Sequence, residues 1–409
     1  MRAWRSCLAS IQRWREPEPP ALVAPDRPIV CDGRRINLTK LKFEVISYLY
    51  QRKGCSPDAP PEGSGHRFVA EAGICRSAGR IAMQPLQYHH GQVAVQDEAN
   101  TRHVAEKLAG WVGPVERYAA AADLVLFAVL DGAGREKALR FAVLSGAPPL
   151  VRPVAAGRLQ LPPAIKDALV GTDDPGSAGT PVGGLVLSLA RAERARVNGV
   201  VRQRDGQVEL AASEEFTLCR KYLAPSLAVG DELCIGPATR EPVALDDPWT
   251  QGIAAAATTS FLASVSPDAA PDVAHRGGPP GFLAVDPAGR TVAWTEYVGD
   301  GVFKSAGNVR ATGIAALLVL DLAEGDGLEL AGTASYENIL TRFQPRMEPL
   351  VRFREPCPTQ GRMVLTVETA HRLRGVAHPR RPTAGNPVTS RDEPDEQAPR
   401  RGGSAPLEG

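Results

Sequence analysis

The chain has 409 residues, 43% of them hydrophobic and 23% charged, with 47 basic against 46 acidic side chains and a formal net charge of +1. That length allows two or three domains with cores of their own, and the charge balance gives no overall attraction to nucleic acid or to an anionic membrane. The seven cysteines form no Cys-x-x-Cys pair and no zinc spacing, and no apolar run approaches the roughly 18 residues of a membrane span, so a cytoplasmic protein with free thiols is expected.

Residues 1–27 are rich in Arg and Pro and lack the apolar stretch of a signal peptide. Over 40–52, Leu41, Val45, Tyr48 and Leu49 fall at helical spacing, with Thr39 as N-cap and Gly54 as stop. An Ala-rich stretch, 101–122, predicts one helix with Val104, Leu108, Trp111 and Val115 as its apolar stripe. Strands are predicted over 124–130, 139–144 and 150–154, a short helix over 163–170 and a loop over 171–181. Strands over 184–190, 195–202 and 207–211 come next, then a helix over 213–222.

Asp246-Asp247-Pro248 opens a helix that runs to about residue 258, with an acidic cap and proline in the first turn. Strands are then predicted over 261–266, 272–275, 281–285, 291–297, 315–322 and 328–335, separated by turns rich in Gly, Pro and Asp. The tail 379–409 holds hardly an apolar side chain and is expected to be disordered. Many short strands with few helices predict a barrel or a sandwich.

One motif is used twice. Leu185-Val186-Leu187-Ser188-Leu189-Ala190 answers Leu318-Val319-Leu320-Asp321-Leu322-Ala323, and Val197-Asn198-Gly199 answers Leu330-Ala331-Gly332 at the same spacing of 133 positions. Upstream, Gly146-Ala147-Pro148-Pro149 answers Gly277-Gly278-Pro279-Pro280, and Ala156-Gly157-Arg158 answers Ala288-Gly289-Arg290. A period that long is a domain duplication rather than a solenoid. Aligned on the Gly/Pro runs, the first copy has Leu144-Ser145 where the second has His275-Arg276, and it lacks a counterpart of Phe303-Lys304-Ser305.

The second copy holds the site candidates. In His275-Arg276-Gly277-Gly278-Pro279-Pro280-Gly281-Phe282, glycines permit close backbone approach and Arg276 offers a forked donor pair to a phosphate. Trp294-Thr295-Glu296-Tyr297 ends a strand where rings and a hydroxyl can border a planar ligand. Lys304 and Ser305 sit at a turn entering a short helix, a plausible anion site. Plainer roles stay open: an ion pair for Arg276, a surface lysine and a helix cap at 304–305, core packing for Trp294 and Tyr297, and a turn or surface role for His89-His90.

The order His-Arg-Gly-Gly-Pro-Pro-Gly-Phe, strand, Tyr297-x-Gly-x-x-x-Phe303-x-Ser305-x-Gly-Asn308, then Leu-Leu-x-x-Asp resembles the pyridoxamine 5'-phosphate oxidase-like proteins, closely over 246–335 and weakly upstream through Tyr88-His89-His90-Gly91-Gln92. That resemblance implies tandem FMN-binding split β-barrels, mainly β with some α, the first barrel degenerate. It implies an FMN-dependent oxidoreductase of an unknown small-molecule substrate, the alternative being a non-catalytic flavin-binding or ligand-sensing barrel. Carried over by position, His275, Arg276, Gly277, Thr295 and Tyr297 would lie against the flavin, and Lys304, Ser305 and Asn308 would serve its phosphate, with Asp300 an acidic departure beside it. Relatives build such sites between subunits, so a homodimer or a pseudo-dimer within one chain is implied. Residues 28–54 resemble the start of a response-regulator winged helix, but no recognition helix is evident in the sequence that follows, and specific nucleic-acid reading is not expected. The expected organisation is an undefined region over 1–86, barrels over 87–240 and 241–376, and the tail.

Overall fold

Short apolar runs punctuated by Gly, Pro and Asp favour strands over long helices. The computed structural model describes residues 29–31, 34–36 and 86–379, apart from 110–114, 132–136, 170–178, 190, 205, 219–221, 224–227 and 340–357. Residues 1–77 and 78–409 are separate compact units. In the first, β1 (Ile29–Cys31) pairs antiparallel with β2 (Arg34–Ile36). The helix expected over 40–52 and the tail from residue 380 lie outside the described residues.

The second unit is mainly β. It opens with α1 (His90–Glu98), α2 (Arg102–Ala109) and α3 (Val115–Ala120). Of the helix expected over 101–122, α2 and α3 are described; residues 110–114 between them lie outside the described residues. The first sheet is built from β3 (Leu124–Asp131), β4 (Ala138–Ser145), β5 (Arg152–Ala155), β6 (Arg158–Leu161), β7 (Thr180–Ser188), β8 (Glu193–Arg204), β9 (Gln207–Thr217) and β10 (Cys234–Gly236), with α4 (Lys166–Leu169) between β6 and β7. The second is built from β11 (Thr239–Pro242), β12 (Thr259–Val265), β13 (Pro271–Gly277), β14 (Leu283–Asp286), β15 (Thr291–Tyr297), β16 (Ile314–Asp321), β17 (Asp326–Asn338) and β18 (Thr359–Arg374). Its helices are α5 (Pro248–Ala256), capped by Asp247 as the sequence predicts, and α6 (Lys304–Thr312).

A correction concerns the helix expected over 213–222. β9 instead continues through Thr217, paired with Ala195 of β8. The ladder to β8 satisfies its backbone groups, and that pairing overrides the helix preference of Glu214 and Glu215.

The two sheets share one topology. Strand order β4-β3-β7-β8-β9-β6-β5 in the first repeats as β13-β12-β16-β17-β18-β15-β14 in the second. Register carries the equivalence to single residues: Leu126 pairs with Leu185 in the first sheet, and Phe261 with Leu318 in the second. Each sheet bulges at the same place, at Asn198/Gly199 in β8 and at Ala331/Gly332 in β17. A Cβ on either glycine would run into a neighbouring carbonyl oxygen, that of Ala211 or of Thr366. The duplication is thus visible in a shared irregularity, which convergent packing alone would not supply. Register also moves one alignment by a residue. Ser145 and Gly277 both pair with the first residue of the preceding strand, so His275 and Arg276 answer Val143 and Leu144.

Each barrel fills its own interior, the first around Phe127, Leu144 and Val197, the second around Leu262, Trp294 and Leu330. A third cluster lies between them, formed by Leu126, Phe141 and Leu185 against Phe261, Val273 and Leu318. At roughly 1.5–3 kcal/mol for each fully buried Leu or Phe, this seam is a major source of stability. Two equivalent contacts flank it: β13 packs on β7 and β8, and β4 packs on β16 and β17.

Gly332→Ala should destabilise the protein by about 1–3 kcal/mol, because the bulge leaves no space for the methyl group. Urea unfolding checks this, and an unchanged midpoint would show that the bulge is not required.

Candidate functional site

Where β13, β15 and α6 of the second barrel meet β8 of the first, seven of the eight sequence candidates line one cleft: His275, Arg276, Gly277, Thr295, Tyr297, Lys304 and Ser305. Arg194, Arg196, Leu218 and Tyr222 close it from the first barrel, leaving a cavity of about 100 Å³. β15 alternates, burying Val292, Trp294 and Glu296 while Thr295 and Tyr297 stay half-buried at the cleft. Gly277 is needed for closure, since a Cβ there would run into the Tyr222 carbonyl oxygen. The Tyr222 and Tyr297 rings stand 5.6 Å apart. Phe303 takes the left-handed conformation, φ 55°, and so turns the chain into α6 with Lys304 and Ser305 at its start.

Three cations of this cleft, Lys304, Arg276 and Arg196, face carboxylates of the same chain. Lys304 Nζ lies 2.8 Å from Glu214 Oε1, an ion pair that joins the second barrel to the first. Arg276 Nε donates to Glu296 Oε1 at 2.6 Å, and Trp294 Nε1 donates to the same oxygen at 2.7 Å. Ser305 Oγ donates to Asp272 Oδ2 at 3.2 Å, while Asp272 Oδ1 lies 3.3 Å from Arg196 Nη1 and accepts from Asn198 Nδ2 at 2.9 Å. Burial alone would raise the Asp272 carboxyl. Arg196, Lys304 and the Asn198 and Ser305 hydrogen bonds together outweigh it and hold the pKa below the ordinary value. Asp300 turns its Oδ1 to the Val302 N–H at 3.0 Å.

His275 is 8% exposed, and its Nε2 has no hydrogen-bond partner among the described residues. Burial first, then Arg194 and Arg276, push its pKa well below 6.5, so the ring is neutral at physiological pH.

Asn308 is placed elsewhere. Its Oδ1 accepts from Gln92 Nε2 at 2.9 Å and lies 2.7 Å from His89 Nε2, and its Nδ2 donates to Ser264 Oγ at 3.0 Å. It clamps α1 onto α6, where Gly91 and Gly307 let the two helices touch. His89, which the sequence reading gave a turn or surface role, is the N-cap of α1 and completes a capping box with Gln92. The signal was present in the sequence as His89-x-x-Gln92, a short polar cap followed by a reciprocating amide.

The equivalent hollow on the other side of the seam is filled. Ser145 Oγ donates to the Val376 carbonyl at 3.1 Å, Cys234 Sγ reaches the Gly375 carbonyl at 3.2 Å, and β10 runs along β4. A larger open hollow of about 770 Å³ lies along α5, β12 and β16, but Asp321 is the one ionisable side chain in its lining. Another open hollow, of about 660 Å³, carries Asp246, Arg290, Glu368 and His371, so what distinguishes the smaller cleft is that the sequence candidates converge on it from both barrels. Among the described residues no His/Cys/Asp/Glu group could hold a metal ion, and no helix is long and apolar enough to cross a membrane.

No protein-family model matches the chain, and no curated protein is recognisably similar to it. Solved structures similar to part of it include pyridoxamine 5'-phosphate oxidase-related proteins. A putative pyridoxamine 5'-phosphate oxidase from Lactobacillus delbrueckii is 19% identical over 28% of this chain and 83% of its own, with a TM-score of 0.20. A pyridoxamine 5'-phosphate oxidase-related, FMN binding protein from Nostoc punctiforme is 14% identical over 31% and 85%, with a TM-score of 0.23. HupZ from Group A Streptococcus is 16% identical over 32% and 97%, also with a TM-score of 0.23. At such scores the fold assignment rests on this chain's own strand order and register.

An FMN implied by the sequence resemblance can be tested against this cleft. Lys304, Ser305 and Arg276 suit a phosphate chemically, yet Glu214, Asp272 and Glu296 already engage them. A cavity of about 100 Å³ is also well short of the roughly 300 Å³ at which small-molecule pockets begin. The cleft as folded does not accommodate a whole flavin mononucleotide.

Asn308→Ala should cost about 1–3 kcal/mol by leaving His89, Gln92 and Ser264 without their partner, a change that thermal melting would register. His275 adds a pH dependence. Because its folded pKa is depressed, its contribution is complete above about pH 6.5 and is lost as pH falls below that value, where the unfolded chain takes up the proton more readily. Between about pH 7 and about pH 5, His275→Asn should therefore lose less melting temperature than the native protein; an equal or larger loss would contradict this assignment.

Proposed function

We propose that this chain is a ligand-binding split-barrel protein without flavin turnover, whose inter-barrel cleft takes a small anionic group of phosphate size. The observation that supports it is the Lys304–Glu214 pair: a buried ammonium of the second barrel held by a carboxylate of the first, at 2.8 Å. The Glu214 side chain is 22% exposed and held by Lys304 and Asn198, and is the freer of the two carboxylates, since Asp272 is fully buried and held by three partners. An incoming anion would replace Glu214 on Lys304, with the first turn of α6 adding backbone donors. Exchange of that kind cuts a link between the barrels, so occupancy becomes a change in how tightly the seam closes. Neutral His275 supplies a second polar contact without repelling a cationic or neutral remainder of the ligand.

A second reading, an FMN-dependent oxidoreductase, is favoured by the convergence of seven resemblance-derived residues on one cleft. Flavin would supply hydride or electron chemistry there. It requires Leu218, Tyr222 and Tyr297 to part to make room for the rings.

Calorimetric titration with inorganic phosphate and, separately, with FMN distinguishes the two, alongside the visible spectrum of the purified protein. The proposal expects colourless protein, phosphate binding, and a loss of about 1.5–3 kcal/mol of that binding in Lys304→Ala. Stoichiometric flavin absorbance would establish the second reading, and failure to bind either ligand would sink both.

A further inference from the structure

The two barrels meet through equivalent strands, yet the charges at the two equivalent contacts are opposite. On one side Arg196 of β8 faces Asp272 of β13 at 3.3 Å. By register, Arg196 pairs with Leu185 as Glu329 pairs with Leu318, so Glu329 occupies the place of Arg196 in the second barrel. Likewise Asp272 lies opposite Ser264 as Arg140 lies opposite Val129, so Arg140 occupies the place of Asp272 in the first. The residue types are inverted, cation on β8 and anion on β13 against anion on β17 and cation on β4, but only Arg196 and Asp272 pair across the seam; Arg140 is held by Asp131 and Glu329 by Arg240, each within its own barrel. Glu329 is buried, accepts from the Phe141 N–H at 2.7 Å, pairs with Arg240 and feels Arg140.

We infer that the buried Arg196–Asp272 pair commits each barrel to its unlike sister, so that the face able to join two chains is consumed within one and the protein is a monomer. Consider the alternatives that the shared topology would otherwise permit. If two copies of the second barrel paired in the same geometry, Asp272 would meet Glu329 where Arg196 stands and Ala331 where Asn198 stands. Arg240 belongs to that same barrel through β11 and would travel with Glu329 and offset its charge, but Asp272 would lose both Arg196 and Asn198 and gain no cation of its own. A pair of first barrels would set Arg196 against Arg140, which Asp131 already holds, and would leave Arg196 without the carboxylate that Asp272 supplies. Buried like charges at such positions are strongly disfavoured, whereas the unlike pairing satisfies both sides. The seam's apolar residues carry no such preference, since Leu126, Leu185, Phe261 and Leu318 are interchangeable in character. Specificity therefore resides in the charges. This inference is independent of what the cleft binds.

Asp272→Arg tests it in the full chain, by light scattering and thermal melting. The new cation clashes with Arg196 within the chain but suits Glu329 of a second copy, so the variant should melt lower and shift from a one-chain to a two-chain mass, or fail to fold. Adding Arg196→Glu restores an opposite pair and should return the one-chain mass and most of the lost melting temperature. A two-chain mass for the native protein, a single variant indistinguishable from native, or a double variant no better than the single would each overturn the inference.

Discussion

Everything in the second unit turns on one buried carboxylate. Asp272 sits at the seam, 1% exposed, and is held by Arg196 and Asn198 from one barrel and by Ser305 from the other. A carboxylate so deep is tolerated only when paired and hydrogen-bonded, and removing a partner of such a group typically costs about 3–5 kcal/mol. Asn198 extends the set, donating 3.0 Å to Glu214 Oε2, which in turn anchors Lys304 through Oε1. A continuous polar chain thus runs from β8 through β13 to the first turn of α6. Position of the barrels, shape of the cleft and charge of the cleft are consequences of the same few contacts.

This dependence explains why the site is closed as well as charged. The resemblance-derived phosphate donors are present, but the seam uses them: Ser305 to hold Asp272, Lys304 to hold Glu214. A protein that builds both walls of its cleft from one chain can let internal anions stand where a ligand's anion would otherwise stand. The second, equivalent hollow shows the end point of that process, with Ser145 tied to Val376 and no cationic donors at Val143 or Leu144.

Much of the fold was legible in the sequence, because a duplicated strand pattern with conserved spacing in both copies leaves few topologies. Strands over 291–297 and 184–190 were read from alternation or apolar runs, and Asp247-Pro248 marked α5 plainly. β18 was missed although Met363, Leu365 and Val367 alternate in it, since the polar residues around them obscure the period. Glu214 and Glu215 read as helix because local preference cannot register a ladder to β8. The converging cleft residues could be named from their motif. What no motif disclosed was which partners they meet: the carboxylates of Glu214 and Asp272 lie 90 and 33 positions from Lys304 and Ser305, and contacts of that range belong to topology rather than to sequence spacing. Asn308 was assigned to the ligand for the same reason, when packing commits it to α1.

The most direct test is a crystal structure of the full-length native protein grown with phosphate and FMN both present. The account predicts Asp272 against Arg196 of its own chain, with electron density no larger than a phosphate beside Lys304. An isoalloxazine ring between the barrels, or Asp272 paired across a two-fold axis with another chain, would contradict it.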